Sequence, residues 1–227
     1  DQALAASRAW RQAAPQSADP LRMQLQILAA MNRVNDLAEP FRALLVMTPE
    51  GERGNVIASM PRFLQRAPDK RQAATLVDAV LEPYLTAPAS RVAALVASGR
   101  AWAQADDADQ ALSRARQAQA LEPQAPGPVL LALDLMAQRP AAEELVRTHM
   151  QGPAVEPALR LSYVRVLMGN QRFVDAVAQL ERVTAEKPDM AQPFLTLGAL
   201  HLEMRQPRPA EVALQRYLDL SVASEAA

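Results

Sequence analysis

Cysteine is absent from this chain of 227 residues, which excludes disulfides, thiolate metal sites and cysteine nucleophiles. Glycine numbers only 7 and aromatic residues make up 4%, a scarcity that favours helix over sheet, because strands enrich aromatic and β-branched side chains. No excess of one charge exists either. The formal net charge is −1, without the clustered basic charge that a nucleic-acid footprint requires. Lysine occurs only at Lys70 and Lys187, so arginine supplies nearly all the cations, as the base-composition bias of a high-GC bacterium would produce. No stretch approaches 18 uninterrupted apolar residues, the length that a membrane-spanning helix needs. The chain opens on neither the basic n-region nor the apolar h-region of a signal peptide. The sequences G-x-x-x-x-G-K-[ST], G-x-G-x-x-G and G-x-S-x-G are missing, so phosphate cradles and nucleophile elbows have no support.

What the chain does have is a period. Ala176 and Ala210 lie 34 residues apart, and their neighbours repeat with them. Leu161 matches Leu195, Tyr163 matches Leu197, Phe173 matches Pro207, Leu180 matches Leu214, Arg182 matches Arg216, and Val183 matches Tyr217. A period between 20 and 50 residues marks a stacked repeat protein, in which each unit is one supersecondary element. Residues 157–190 and 191–224 each divide into a helix A, a tight turn and a helix B. Bulky residues recur at i, i+3, i+4 and i+7, and small ones (Gly198, Ala176, Ala210) fall where two helices must approach closely. Of the 18 prolines, Pro15, Pro49, Pro123 and Pro188 fall between helical runs, where they act as stop signals.

This combination resembles the tetratricopeptide repeat (TPR) family. Phe194, Leu197, Gly198, Ala210, Leu214 and Tyr217 match that family's large and small positions. Val164 departs from the helix-A glycine, and Gln171 and Arg205 depart from the turn glycine. The resemblance implies an all-α fold, a right-handed superhelical α-solenoid of TPR-like helix-turn-helix repeats, covering 1–227 as one array. The expected units are a half repeat at 1–15, then 18–51, an irregular 52–91, 92–125, a short 126–156, 157–190 and 191–224. Pro40 lies inside helix B of 18–51, so that helix starts near Glu39 or kinks. In 52–91, Pro61 interrupts helix A and Pro83 lies near the end of helix B. The tetrapeptide DQAL at Asp1–Leu4 recurs at Asp109–Leu112, so the chain opens in the middle of a repeat and is expected to be a piece of a longer protein. The last helix B is expected to end near Leu220, leaving Leu214, Tyr217, Leu218 and Leu220 as an apolar edge to be covered by a downstream segment or another copy.

In a TPR superhelix, helix-A residues pointing away from helix B line the inner wall. By phase these are Arg22, Gln26, Val96, Arg100, Leu130, Asp134, Leu161, Arg165, Leu195 and Leu202. They form either an apolar, arginine-punctuated groove for a protein or peptide partner, or ordinary solvent-facing and inter-repeat packing positions. The carboxylate clamp of chaperone-binding TPR domains is not expected, because Arg22 and Gln26 stand at the first-repeat positions and the asparagine is missing. His201 takes an aromatic packing place, and His149 lies on the short helix B of 126–156. The two histidines are too far apart to form a metal motif. Trp10 and Trp102 fall on core phases, and Met136, Met150, Met168 and Met204 fill core or an adaptable groove. Asp106–Asp107 and Glu143–Glu144 lie at turns or helix starts, where they complement the helix dipole.

The reading is therefore a non-catalytic interaction scaffold with no cofactor, no metal and no nucleic acid. Alanine-rich helices, irregular units and the stretch MPRFLQRAPDK are also similar to proteobacterial envelope TPR lipoproteins, some of which bring a carboxy-terminal processing protease to its substrates. That narrower resemblance implies a periplasmic or outer-membrane-associated location. A self-assembly module without a dedicated ligand, and a regulatory segment of a larger enzyme, remain alternatives. Because Ala176 and Ala210 occupy the close contacts, replacing either with leucine should cost roughly 1–3 kcal/mol through overpacking. Denaturant melts of both variants check this, and losses near zero would mean the packing face is misassigned.

Overall fold

The computed structural model describes residues 2–152 and 155–225, with backbone only at 224 and 225. Asp1 of the first DQAL, two residues of the 126–156 unit, and the last two of the terminal SVASEAA lie outside the described residues. Among the described residues there are thirteen α-helices, three short 3-10 turns and no strand. The chain is all-α and TPR-like, as the period requires. It divides into two compact units, Asp1–Leu145 and Val146–Ala227.

In the first unit, α1 (Gln2–Ala13) precedes the pairs α2 (Asp19–Ala30) and α3 (Ala38–Met47), α4 (Glu50–Phe63) and α5 (Lys70–Leu81), and α6 (Arg91–Gln104) and α7 (Ala108–Leu121). α8 (Pro126–Leu135) follows, and α9 (Glu143–Met150) runs across the division. α6 packs on its own helix B, α7, and on α5 and α4 before it, and α8 packs on α7 and α6. The core is aliphatic, with Leu21, Leu25, Leu37, Phe41, Ile57, Met60, Leu64 and Leu81 all but inaccessible. Phe41 meets Phe63 edge to face, ring centroids 5.5 Å apart. The second unit holds α10 (Pro157–Gly169) against α11 (Phe173–Glu186), and α12 (Ala191–Glu203) against both α11 and α13 (Pro207–Glu225). Leu159, Tyr163, Leu167, Ala176, Leu180, Val183, Leu197 and Ala210 are buried there.

The prolines do more than stop helices. Pro126, Pro157 and Pro207 are the first residues of their helices and Pro20 the second, positions where no N–H partner exists to be lost. Pro40 sits in the first turn of α3, which starts at Ala38 after a 3-10 turn over Val34–Leu37, so no kink is needed. The expectation for Pro61 is corrected. α4 continues through it to Phe63, because Pro61 falls in the last turn and forfeits one ladder bond while its ring is buried. The expected end at Leu220 is also corrected, since α13 runs to Glu225. Along it, Leu218 is exposed, while Leu214, Tyr217 and Leu220 are half-buried.

Four helices A end alike. Asn32, Asp106, Gln171 and Arg205 are left-handed, with φ from 54° to 58°. In each case the next N–H reaches back five residues, as from Gln206 to the His201 carbonyl at 2.8 Å and from Arg172 to Leu167 at 2.9 Å. That is a Schellman closure, usually built on glycine, here built without it. Aspartates cap two helices B. Asp69 accepts from the Gln72 amide at 2.8 Å, and Asp107 from the Gln110 amide at 3.1 Å.

Close approach is where glycine matters. A Cβ at Gly198 would lie 2.6 Å from Leu214 Cγ and 3.4 Å from the Ala210 carbonyl oxygen. A Cβ at Gly99 would strike Leu131 and come within 3.2 Å of Arg114 Cβ. Gly169, at the end of α10, has nothing within 4 Å. Gly198→Ala should therefore destabilise by about 1–3 kcal/mol through overpacking, whereas Gly169→Ala should stabilise by up to about 1 kcal/mol through helix propensity. Thermal melts of the pair check the opposite signs.

Candidate functional site

The expected binding residues fall in two sets. In the first unit, α4 lies against α6 and α6 against α8, so helices A follow one another side by side. Arg22 and Gln26 are exposed on α2, and Arg22 pairs with Asp19 one turn away at 3.1 Å. Val96 is buried, and its side chain meets the backbone at Gly127, where an added Cβ would lie 3.3 Å away. That residue is spent on helix packing. Leu130, one period beyond it, remains 36% exposed.

Arg100 and Asp134 stand one period apart on α6 and α8, and the fold brings them together at a cleft of about 300 Å³ floored by Leu131 and Leu135. Lost hydration raises the Asp134 carboxyl above the ordinary carboxylate range, and the Arg100 charge draws it part of the way back. Position 34 residues apart on neighbouring helices A thus becomes spatial adjacency, with opposite charges beside apolar surface.

In the second unit, Leu161 and Leu195 are half-buried on α10 and α12, Arg165 is exposed, and Leu202 is 55% exposed. Arg165 donates to Ser162 Oγ at 2.9 Å. No hydrogen bond or ion pair among the described residues joins these four to one another.

Other expectations separate cleanly. His201 is buried and its Nδ1 lies 2.9 Å from Gln206 Oε1, in keeping with a packing role; His149 is buried on α9. Met136 and Met150 are core. Glu143 and Glu144 open α9, and Asp107 caps α7. Trp10 is corrected: it is 43% exposed, because α1 buries only Leu4 and Ser7 and turns its indole outward. Among the described residues no group of three or more His, Asp or Glu could hold a metal ion, and no helix is long and apolar enough to cross a membrane.

Two features were not foreseen. Asp78, on α5, accepts from Ser98 Oγ, from Trp102 Nε1 at 2.9 Å and from Arg114 Nη2 at 3.3 Å, so one carboxylate joins three helices. The second is a cleft of about 1120 Å³ between α1 and α3, with Gln24 and Leu28 of α2 at its base. Gln24 and Ser98 hold the same place in their units, one turn before Leu28 and Trp102. A polar residue at a core phase was the available signal in both.

No family model matches the chain, and no curated protein matches it. Solved structures do. A crystal structure of MamA aligns at TM-score 0.52 and 12% identity, covering 78% of this chain and 96% of that one. A second MamA structure aligns at TM-score 0.51 and 12% identity, covering 74% and 98%. A double mutant of MamA from strain RS-1 aligns at TM-score 0.50 and 11% identity, covering 77% and 97%. At such identity the likeness carries the fold, a TPR-like helical array.

The Arg100–Asp134 pairing can be checked by proton titration. A carboxyl whose pKa is raised on folding supplies stability that is present below its unfolded pKa and is lost as pH rises through the folded one. Carbon-detected NMR should place the Asp134 midpoint above the usual carboxylate range, and Arg100→Gln should move it further up. Asp134→Asn should gain thermal stability relative to the parent as pH climbs through that window. A midpoint unmoved by Arg100→Gln would show that the two do not face each other.

Proposed function

We propose that the protein is a non-catalytic interaction scaffold that holds a partner protein or peptide on the exposed faces of its helices A. The observation that supports this most directly is the Arg100–Asp134 cleft, where opposite charges on adjacent helices A lie over Leu131 and Leu135, with the exposed Leu130 one turn before Asp134 on α8. TPR-like arrays use such faces for recognition, since stacked helical pairs build extended surfaces more readily than enclosed chemical pockets. The proposed contact set is Arg22, Gln26, Arg100, Leu130 and Asp134 in one unit and Leu161, Arg165, Leu195 and Leu202 in the other, with the whole chain acting as one array of repeats.

The narrower reading names the partner as a carboxy-terminal processing protease of the bacterial envelope. It rests on the sequence resemblance to envelope TPR lipoproteins, seen in the alanine-rich irregular units and in Met60–Lys70. Co-elution of the purified protein with that protease supports it, and separate elution removes the protease while leaving the scaffold reading in place.

The triple variant Leu161→Ser, Arg165→Glu, Leu195→Ser tests the scaffold itself. With the helical circular-dichroism signal retained, pull-down of the partner should fall at least tenfold, the loss of about 1.4 kcal/mol or more. Unchanged capture would remove the helix-A face from the function. Concentration-dependent dimers in light scattering, abolished by the same changes, would favour self-assembly instead.

A further inference from the structure

The α1–α3 cleft lies on the helix-B side of the first unit, away from the face argued above. Its base holds an anomaly. Gln24 is 3% exposed and lines this cleft, and its buried Nε2 has no hydrogen-bond partner. A buried donor left unmade is unfavourable, and native proteins satisfy almost all of them.

The neighbouring hairpins show what such a position can receive. Ser98 holds the same repeat place between α5 and α7, and there the Asp78 carboxylate covers it and also takes Trp102 and Arg114. α1 supplies no carboxylate to Gln24, and the gap above it stays open.

The walls are charged to suit an acid. Glu39 is held by Arg11 in a bidentate pair, 2.8 and 2.9 Å, which bridges α1 to α3, and Asp36 is held by Arg33. Both carboxylates of the lining are thereby engaged. Arg8 has no ion-pair partner among the described residues, and Arg42 reaches only the Ala79 carbonyl, at 3.2 Å. Beside these cations lie Leu4, Leu28 and Met47, together with Val46, which is 73% exposed.

We propose that this cleft docks an acidic peptide segment of another protein, one carboxylate seated between Arg8 and Arg42 and accepting from Gln24 Nε2 as that amide turns toward the cleft, and a flanking apolar side chain resting on Val46 and Met47. The occupant follows from charge complementarity together with the unmade donor: an acceptor is needed at the base, negative charge at the walls and an apolar group at the rim. It does so for Gln24 as Asp78 does for Ser98.

The probe is a displayed library of random nine-residue peptides, selected on the immobilised full chain, with affinities of the winners measured by fluorescence anisotropy. Winners should pair Asp or Glu with an apolar residue, and their affinity should fall as salt rises. Arg8→Glu with Arg42→Glu should weaken them at least tenfold, while Arg116→Glu with Arg208→Glu, an equal change of net charge elsewhere, should not. Gln24→Leu separates recognition from structure, because it removes the buried unmade donor. It should raise the melting temperature yet weaken the peptide at least fivefold. Neutral or basic winners, equal losses in both charge variants, or undiminished binding by Gln24→Leu would each overturn the proposal. So would wild-type dimers that Arg8→Glu with Arg42→Glu dissolves, since a second copy would then be the occupant.

Discussion

The whole structure depends on how near one helix axis can come to the next. Helix A touches its own helix B at Gly99 or Gly198, with Ala111 or Ala210 opposite; a methyl group at Gly198 would strike Leu214 of that helix B, and one at Gly99 would crowd α7 and strike Leu131 of α8. Only with the axes drawn in can the surrounding leucines interdigitate at the density of protein interiors. The same pairing leaves each hairpin apolar on its outer side, so α6 must also lie on α5 and α4, and α12 on α11. Stability then accrues between neighbours rather than inside any one element. The 34-residue period is the chemical record of that requirement.

Much of this was legible in the sequence, for a specific reason. Small residues at fixed spacing report a contact that tolerates nothing larger, so Ala176, Ala210 and Gly198 located the helix pairs directly. Turn chemistry was less readable. Gln171 and Arg205 stood out as departures from glycine, yet both take up the left-handed conformation that glycine would have supplied. The hydrogen bond reaching back five residues and the exposed side chain let an ordinary residue carry the strain. The backbone therefore closes in the standard way at positions whose side chains do not announce it.

The geometry of the candidate site was legible in parts. One-period spacing placed Arg100 over Asp134, because equivalent positions on adjacent helices A are spatial neighbours. Phase alone did not separate Val96, which is consumed by the approach of α8 at Gly127, from Leu130, which stays open. Trp10 shows the limit of periodicity at a helix that packs on one side only, since α1 meets α2 while its opposite side is bare. Asp78 and Gln24 escaped notice because their meaning depends on what a different helix brings to them. A polar residue on an apolar stripe signals an unresolved need; where the need is met is a property of the tertiary structure.

Asp78 acts across the seam between two hairpins. It belongs to α5, while its donors belong to α6 and α7, so the carboxylate ties one hairpin to the following one with three directional bonds in addition to apolar contact. In a linear chain of interacting modules, a stronger junction makes the two modules it joins melt as one and shifts the fraying to weaker seams on either side. A single half-buried acid thus sets the cooperative length of this part of the molecule, and with it how far a disturbance at one hairpin travels before it dies away.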